Sequence, residues 1–364
     1  MKKVLPLSAI LSAAILLATG CDPYPLPLAA QPSAQPSARQ DCDAYALATK
    51  VVEGPFTDCI SLQNSRVRVV VCPKHARIVA FNLVGAPESN LLWSNPVAGD
   101  PEDKKHWGMW ENWGGDKIWP WPQDDWKSIQ GEKWPPPAEA DMGPFDVDCR
   151  PDGTLRMVSP VLRLWGVRIV RELKLVPGKA EMDVRSFFEA PDGKPTSAAK
   201  GTPWSITQVD MPDDVVFYAR VANPEAPWEL SDDGSAMFDT KPNRIGRTGV
   251  VRIDLSPSDP KRPSQKSTTM GDVLAVASRG YLFSIRNFSP PAPQPAHTMQ
   301  VYFSRGDVTK NLPKGCHPYA ELEFATGSDT ATGSPHVLVQ RWSLDPLPAG
   351  KDRDAAVARI IGRK

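Results

Sequence analysis

Glu111-Asn112-Trp113-Gly114-Gly115-Asp116-Lys117-Ile118-Trp119-Pro120-Trp121-Pro122-Gln123 lies within residues 93–134, which hold eight of the chain's twelve tryptophans. A core assembled for stability alone does not concentrate indoles in this way. The glycine pair permits close backbone approach, and the prolines fix the chain direction. Indoles interleaved with Asn, Asp, Lys and Gln place flat apolar faces beside directional polar groups. Pyranose C–H faces stack on such rings while sugar hydroxyls take the donors and acceptors, so the stretch reads as a sugar-binding surface.

Outward from this stretch the pattern is that of strands and loops. Residues 66–71 alternate, with Val67, Val69 and Val71 on one face, and residues 172–175 and 181–188 alternate in the same way. Further strands are expected at 76–83, 154–158, 250–255, 273–277, 281–287, 299–303, 319–324 and 337–344, with turns at Pro151-Asp152-Gly153 and Pro177-Gly178. Helix is expected only near 44–50 and at 352–363. Many antiparallel strands without helical crossovers predict an all-β sandwich of large antiparallel sheets. The 39 prolines fall in an N-terminal segment and in long loops, including Trp134-Pro135-Pro136-Pro137.

The N-terminal end predicts export. Lys2 and Lys3 precede an apolar run too short to span a bilayer comfortably, and Leu17-Ala18-Thr19-Gly20 leads into Cys21, as in a bacterial lipoprotein signal. The expected organisation is a signal peptide at 1–20, a lipidated Cys21, a Pro/Ala/Gln-rich tether at 21–43, a β domain at 44–348 and a charged tail at 349–364. Localisation would be the cell envelope, facing the periplasm or the cell surface, with membrane contact through the lipid anchor. Acidic and basic side chains balance at 42 each with no basic stripe, which argues against nucleic acid as a partner. Cys42, Cys59, Cys72, Cys149 and Cys316 suit one or two structural bridges, and no spacing calls for a metal or another cofactor.

The segment Gly114-Gly115-Asp116-Lys117-Ile118-Trp119-Pro120-Trp121 resembles the Gly-Gly-Ile-Pro…Trp-Pro-Trp segment of hexose-6-phosphate mutarotases. Arg77-Ile78-Val79-Ala80-Phe81 and Asn90-Leu91-Leu92-Trp93 look like the first strands of that superfamily. Residues 67–348 as a whole are similar to a bacterial domain family of the galactose-mutarotase-like supersandwich group. The resemblance rests also on Trp204-Ser205-Ile206-Thr207-Gln208, Glu321-Leu322-Glu323 and Trp342-Ser343-Leu344. It implies a β-supersandwich with a carbohydrate cleft on a concave face.

The chemistry of those enzymes is not implied. Mutarotation needs a base for the anomeric hydroxyl and an acid for the ring oxygen, supplied in the family by a carboxylate and two histidines. Glu321 or Glu323 could be the carboxylate, since period-two geometry sends Tyr319, Glu321 and Glu323 to one face. Both histidines are missing: the corresponding regions read Glu139-Ala140-Asp141-Met142-Gly143-Pro144-Phe145 and Trp204-Ser205-Ile206-Thr207-Gln208. Trp113 replaces an arginine suited to phosphate.

The expected ligand site therefore comprises Asn112, Gly115, Asp116, Lys117, Trp119, Trp121, Gln123 and Gln208, with Glu321 and Glu323 as candidate catalytic carboxylates. The expected ligand is a neutral carbohydrate or glycan, bound without mutarotation. Two alternatives stand beside it: an epimerase-like enzyme using Glu321 or Glu323 with a non-histidine acid, and a structural or assembly protein of the envelope. Locally, the tryptophans could instead plug the open end of the sandwich, and Asp116 with Lys117 could form a structural ion pair.

Overall fold

Short alternating runs separated by glycine and proline turns bury their apolar sides only when strands lie side by side and two sheets face each other. The computed structural model describes residues 48–98, 111–196, 200–225, 228–230, 242–254, 264–289, 299–304, 317–326 and 336–363. Cys21, the signal and the tether lie outside them.

In chain order the strands are β1 (Ala48–Glu53), β2 (Phe56–Gln63), β3 (Val67–Cys72), β4 (Arg77–Leu83), β5 (Asp116–Trp121), β6 (Asp146–Cys149), β7 (Leu155–Val158), β8 (Arg168–Leu175), β9 (Glu181–Glu189) and β10 (Thr202–Asp210). They continue as β11 (Val216–Val221), β12 (Glu229–Leu230), β13 (Asn243–Arg244), β14 (Val250–Ile253), β15 (Gln265–Thr269), β16 (Gly271–Ser278), β17 (Tyr281–Asn287), β18 (Met299–Phe303), β19 (Tyr319–Ala325) and β20 (Val337–Pro346). Short helices α1 (Trp126–Gln130) and α2 (Ala138–Asp141) follow β5, and α3 (Arg353–Ile361) follows β20.

Among the described residues the strands form two ten-stranded antiparallel sheets, ordered β1-β2-β3-β4-β5-β10-β19-β18-β15-β12 and β13-β14-β11-β16-β17-β20-β9-β8-β7-β6. This is the expected all-β supersandwich. Aromatic contacts tie the layers together: Phe81 of the first sheet meets Phe283 and Trp342 of the second at 5.9 and 5.7 Å, and Phe303 meets Phe217 at 4.9 Å. Around them Val301, Leu322 and Phe324 pack in one buried cluster with Leu274, Val276, Ile285 and Leu344. Burial of each such side chain contributes about 1.5–3 kcal/mol.

Two expectations are corrected. The helix expected near 44–50 is strand where the structure describes it. β-Branched Thr49, Val51 and Val52 favour extended backbone, and the tight turn at Gly54 pairs Glu53 with Phe56, folding β1 back on β2. The C-terminal segment is helical as expected, but it is not a free tail. Val357, Ala358 and Ile361 of α3 are buried against Tyr218, Val250, Val273 and Ala275 on the outer side of the second sheet. Among the described residues one disulfide is present, Cys59–Cys72 between β2 and β3, and Cys149 is free and exposed; Cys42 and Cys316 lie outside them.

His75, in the turn after β3, lies 4.0 Å from the Trp113 ring and 5.6 Å from Phe56. Burial, reinforced by the charges of Lys74 and Arg77, lowers its pKa to about 4. The unfolded chain therefore takes up a proton that the folded chain refuses, and the contribution is present above the unfolded value and lost as pH falls from about 6.5 towards 4. Thermal melts should show lower stability at about pH 5 than at about pH 7, with a shallower dependence in His75→Phe. An unchanged slope in the variant would remove His75 as the cause.

Candidate functional site

Alternation along β5, β10 and β19 divides their side chains between the two faces of the first sheet. Pairing of Asp116 with Thr207, Lys117 with Ile206 and Trp119 with Trp204 sets β5 against β10. Pairing of Gln208 with Glu321 and Ile206 with Glu323 sets β10 against β19. Glu321 pairs in turn with Tyr302 and Glu323 with Gln300 on β18, and Tyr302 pairs with Lys266 on β15. Asp116, Ile118, Ser205, Thr207, Leu322 and Phe324 therefore face the second sheet. Lys117, Trp119, Trp121, Trp204, Gln208, Glu321, Glu323, Gln300, Tyr302 and Lys266 share the opposite face.

That face carries three ion pairs in a row. Arg77 meets Asp141 of α2 at 2.6 Å, Lys117 meets Glu321 at 3.5 Å, and Lys266 meets Glu323 at 3.1 Å. Indole N–H groups also reach two of the carboxylates: Trp119 Nε1 donates to Asp141 at 2.7 Å and Trp204 Nε1 to Glu323 at 3.0 Å. The ammonium of Lys117 lies 4.5 Å from the Trp119 ring centroid, and that of Lys266 lies 5.0 Å from Trp204. Among the described residues these three cations offset three carboxylates.

Glu321 differs from the other two carboxylates. Its side chain keeps 14% exposure, whereas those of Asp141 and Glu323 keep none. Gln208 Nε2 donates to its Oε1 at 2.8 Å and Lys117 Nζ donates to the same oxygen, while Oε2 takes neither bond. Burial pushes the Lys117 ammonium below the usual lysine range, and the Glu321 carboxylate pulls part of that shift back. Gln208 Oε1 and Gln300 Oε1 are buried without a hydrogen-bond partner among the described residues. Buried acceptors without donors are uncommon in proteins, and three acceptor oxygens on one face suit a ligand rich in hydroxyl groups.

The residues singled out in the sequence thus divide. Lys117, Gln208 and Glu321 are brought into direct contact, and Glu323 lies one alternation along the same face. Asp116 does not join them: it is fully buried on the other face, where Arg171 pairs with it and Thr207 Oγ1 donates to it at 2.7 Å. An Asp116–Lys117 pair is likewise excluded, because consecutive strand residues point to opposite sides. Gly115 holds backbone rather than ligand. With φ near +69°, its N–H donates to Trp93 O at 2.7 Å, and a Cβ would lie 2.4 Å from Ile78 O.

Asn112 is fully buried and accepts from Gly114 N at 3.4 Å. Trp119 keeps only 4% exposure, with rings of Trp126, Trp134 and Trp204 edge-on at 5.7–5.9 Å. It is a core plug whose edge reaches the site. Trp121 is half-buried against Trp204, and Gln123 Nε2 donates to Lys133 O at 3.4 Å in the loop beyond. The sequence alone does not mark Lys266, Gln300 and Trp204 as site residues. The available signal was Gln265-Lys266-Ser267-Thr268-Thr269, a polar run that is nevertheless buried along its length.

No protein-family model matches the chain, and no curated protein sequence matches it. Solved structures similar to it are galactose mutarotase-like proteins. The galactose 1-epimerase from Lactobacillus acidophilus is 13% identical, with a TM-score of 0.49 over 82% of this chain and 98% of that one. A galactose mutarotase-like protein from Lactobacillus casei is 10% identical, with a TM-score of 0.47 over 79% of this chain and all of that one. A TPR-domain containing protein from Parabacteroides distasonis matches with a TM-score of 0.47 at 12% identity, and there the chain spans about half of the other's length, 48%. At these identities the likeness is one of fold.

Proposed function

We propose that the chain is a lipid-anchored envelope protein that binds a neutral carbohydrate or glycan on the Lys117–Gln208–Glu321 face, without mutarotase chemistry. The observation that carries the reading is Glu321, fixed at one oxygen by Gln208 and Lys117 and flanked by the buried acceptors Gln208 Oε1 and Gln300 Oε1. Hydroxyl groups supply the donors such a face needs. Among the described residues the charge of the face is balanced, Arg77, Lys117 and Lys266 each having a carboxylate partner, which favours a neutral ligand. Absence of both family histidines leaves the proton transfers of mutarotation without their usual acid and base. The anchor follows from Cys21 and the short apolar run before it.

One variant tests both parts. Cys21→Ser should leave the membrane fraction, and the released protein should bind neutral hexoses or their oligomers saturably while hexose 6-phosphates and uronates bind at least about tenfold more weakly. Preference for the charged sugars would contradict the neutral reading, and retention in membranes would contradict the anchor. A second reading, an epimerase-like enzyme, draws on Glu321 lying beside a lysine whose ammonium is held below its ordinary range. Polarimetry on freshly dissolved aldoses decides between them: rates equal to buffer support binding alone, and acceleration lost in Glu321→Gln supports catalysis.

A further inference from the structure

We infer that the sugar carries an N-acyl group, an N-acetylhexosamine in its simplest form, whose amide carbonyl accepts from the guanidinium of Arg77. The inference rests on the carbohydrate reading of the inner face and names the class of sugar that face takes. Antiparallel pairing of Ile78 with Asp116 sets Arg77 of β4 beside Lys117 of β5, and both lie on the face turned away from the second sheet. Arg77 is fully buried. Its Nη2 donates to Asp141 Oδ1 at 2.6 Å, whereas Nε and Nη1 have no hydrogen-bond partner among the described residues. The Trp119 indole donates to the same Asp141 oxygen, and its ring lies 4.5 Å from the Lys117 ammonium, which places the guanidinium beside the group formed by Lys117, Gln208 and Glu321.

A buried guanidinium with unmade donors is costly to the fold, and an acceptor supplied by a ligand recovers that cost on binding. The polar groups of the face are laid out by sign. Arg77 presents N–H donors on the β4 side, while Gln208 Oε1 on β10 and Gln300 Oε1 on β18 are buried acceptors without a donor among the described residues. β4, β5 and β10 are consecutive in the sheet, so the strands that carry Arg77 and Gln208 are two spacings apart, roughly 9–10 Å. One pyranose ring with an acyl arm covers that gap. A carbonyl oxygen offers lone pairs and no proton, which suits the Arg77 side. The amide N–H and the ring hydroxyls supply the protons that the glutamine side lacks. A carboxylate would also accept from Arg77, but Asp141 already neutralises the guanidinium, and a second buried anion there would be repelled by Asp141 itself. A free amine would be repelled by both Arg77 and Lys117.

Calorimetric titration of the Cys21→Ser protein with glucose, galactose and mannose, and with the amine and the N-acetyl derivative of each at the carbon next to the anomeric centre, tests the inference. In at least one series the N-acetyl sugar should bind about tenfold more tightly than its parent hexose, with the amine weaker than either. Parent hexoses that bind as well as the N-acetyl sugars in every series overturn the N-acyl site while leaving the inner face standing. Arg77→Lys keeps a cation for Asp141 but removes Nε and Nη1, and it should bring the N-acetyl sugar down to the affinity of the parent hexose. A preference retained in a folded Arg77→Lys overturns the inference. Because a buried arginine also supports the fold, thermal melts accompany the variant, and the Cys21→Ser protein with Arg77 intact carries an independent readout. Its Arg77 Nε–H resonance should shift as the N-acetyl sugar saturates the site and stay in place with the parent hexose. A stationary resonance at saturation with the N-acetyl sugar overturns the inference as well. Failure of every sugar to bind removes the carbohydrate reading and this inference with it.

Discussion

Asp116→Ala should destabilise the fold by about 3–5 kcal/mol, the cost of leaving a buried charge without its partner. Arg171 and Asp116 are both fully buried between the sheets, Arg171 on β8 and Asp116 on β5. The carboxylate accepts from the Arg171 guanidinium and from Thr207 Oγ1, and Arg171 Nη1 donates also to the Asp116 carbonyl at 3.4 Å. Removing the carboxylate leaves the guanidinium in the core with one long bond to the backbone. The double variant Asp116→Leu with Arg171→Met should recover much of the loss, because it removes both desolvated charges. Denaturant unfolding measures both quantities. A single-variant cost below about 1 kcal/mol would show that the pair is solvated and that the sheets are held by apolar contacts alone.

Glu321→Gln should weaken sugar binding about 10- to 100-fold, the scale of hydrogen bonds to a charged group of about 1.5–3 kcal/mol. Gln208 and Lys117 both donate to the carboxylate now. The amide keeps the shape but has one acceptor oxygen in place of two, and Lys117 loses its counter-charge. Burial then lowers the lysine pKa still further, so the variant's lysine should neutralise at a lower pH than that of the parent. Titration calorimetry with a parallel thermal melt separates the two effects. Equal affinity in parent and variant would place the ligand elsewhere.

Much of the fold was readable because one-sided strands announce themselves: β3 and β9 alternate, and the Glu321/Glu323 face of β19 followed directly from period two. The strand at the centre of the site did not announce itself. β5 reads Asp-Lys-Ile-Trp-Pro-Trp, with five of its six residues buried, so neither alternation nor hydrophobicity marks it as strand. The rule that divided β19 also divides Asp116 from Lys117 once β5 is known to be extended. Without the strand, two adjacent charged residues read equally well as site or ion pair.

Lys266 and Gln300 were illegible for another reason. They reach the site through pairing of β15 with β18 and of β18 with β19, contacts that no local pattern encodes. Trp119 lies on the expected face, but its N–H meets Asp141, a partner that the sequence does not show because an indole beside polar residues looks the same whichever group its N–H meets. The helix expected near 44–50 fails at its described end because Gly54 turns the chain back and pairing with β2 overrides a weak local preference.

The most direct test of the proposed carbohydrate face is an indole N–H spectrum of the ¹⁵N-labelled Cys21→Ser protein recorded as a neutral gluco-oligosaccharide is added. Trp119 and Trp204 donate to carboxylates of the face, Trp121 packs on Trp204, and the Trp134 ring lies 5.9 Å from that of Trp119. Trp165 and Trp342 belong to the hairpin before β8 and to β20 of the other sheet. Saturable shifts of Trp119, Trp121, Trp204 and Trp134, with Trp165 and Trp342 stationary, are the predicted result. A spectrum that does not change, or changes confined to Trp165 and Trp342, would contradict the site.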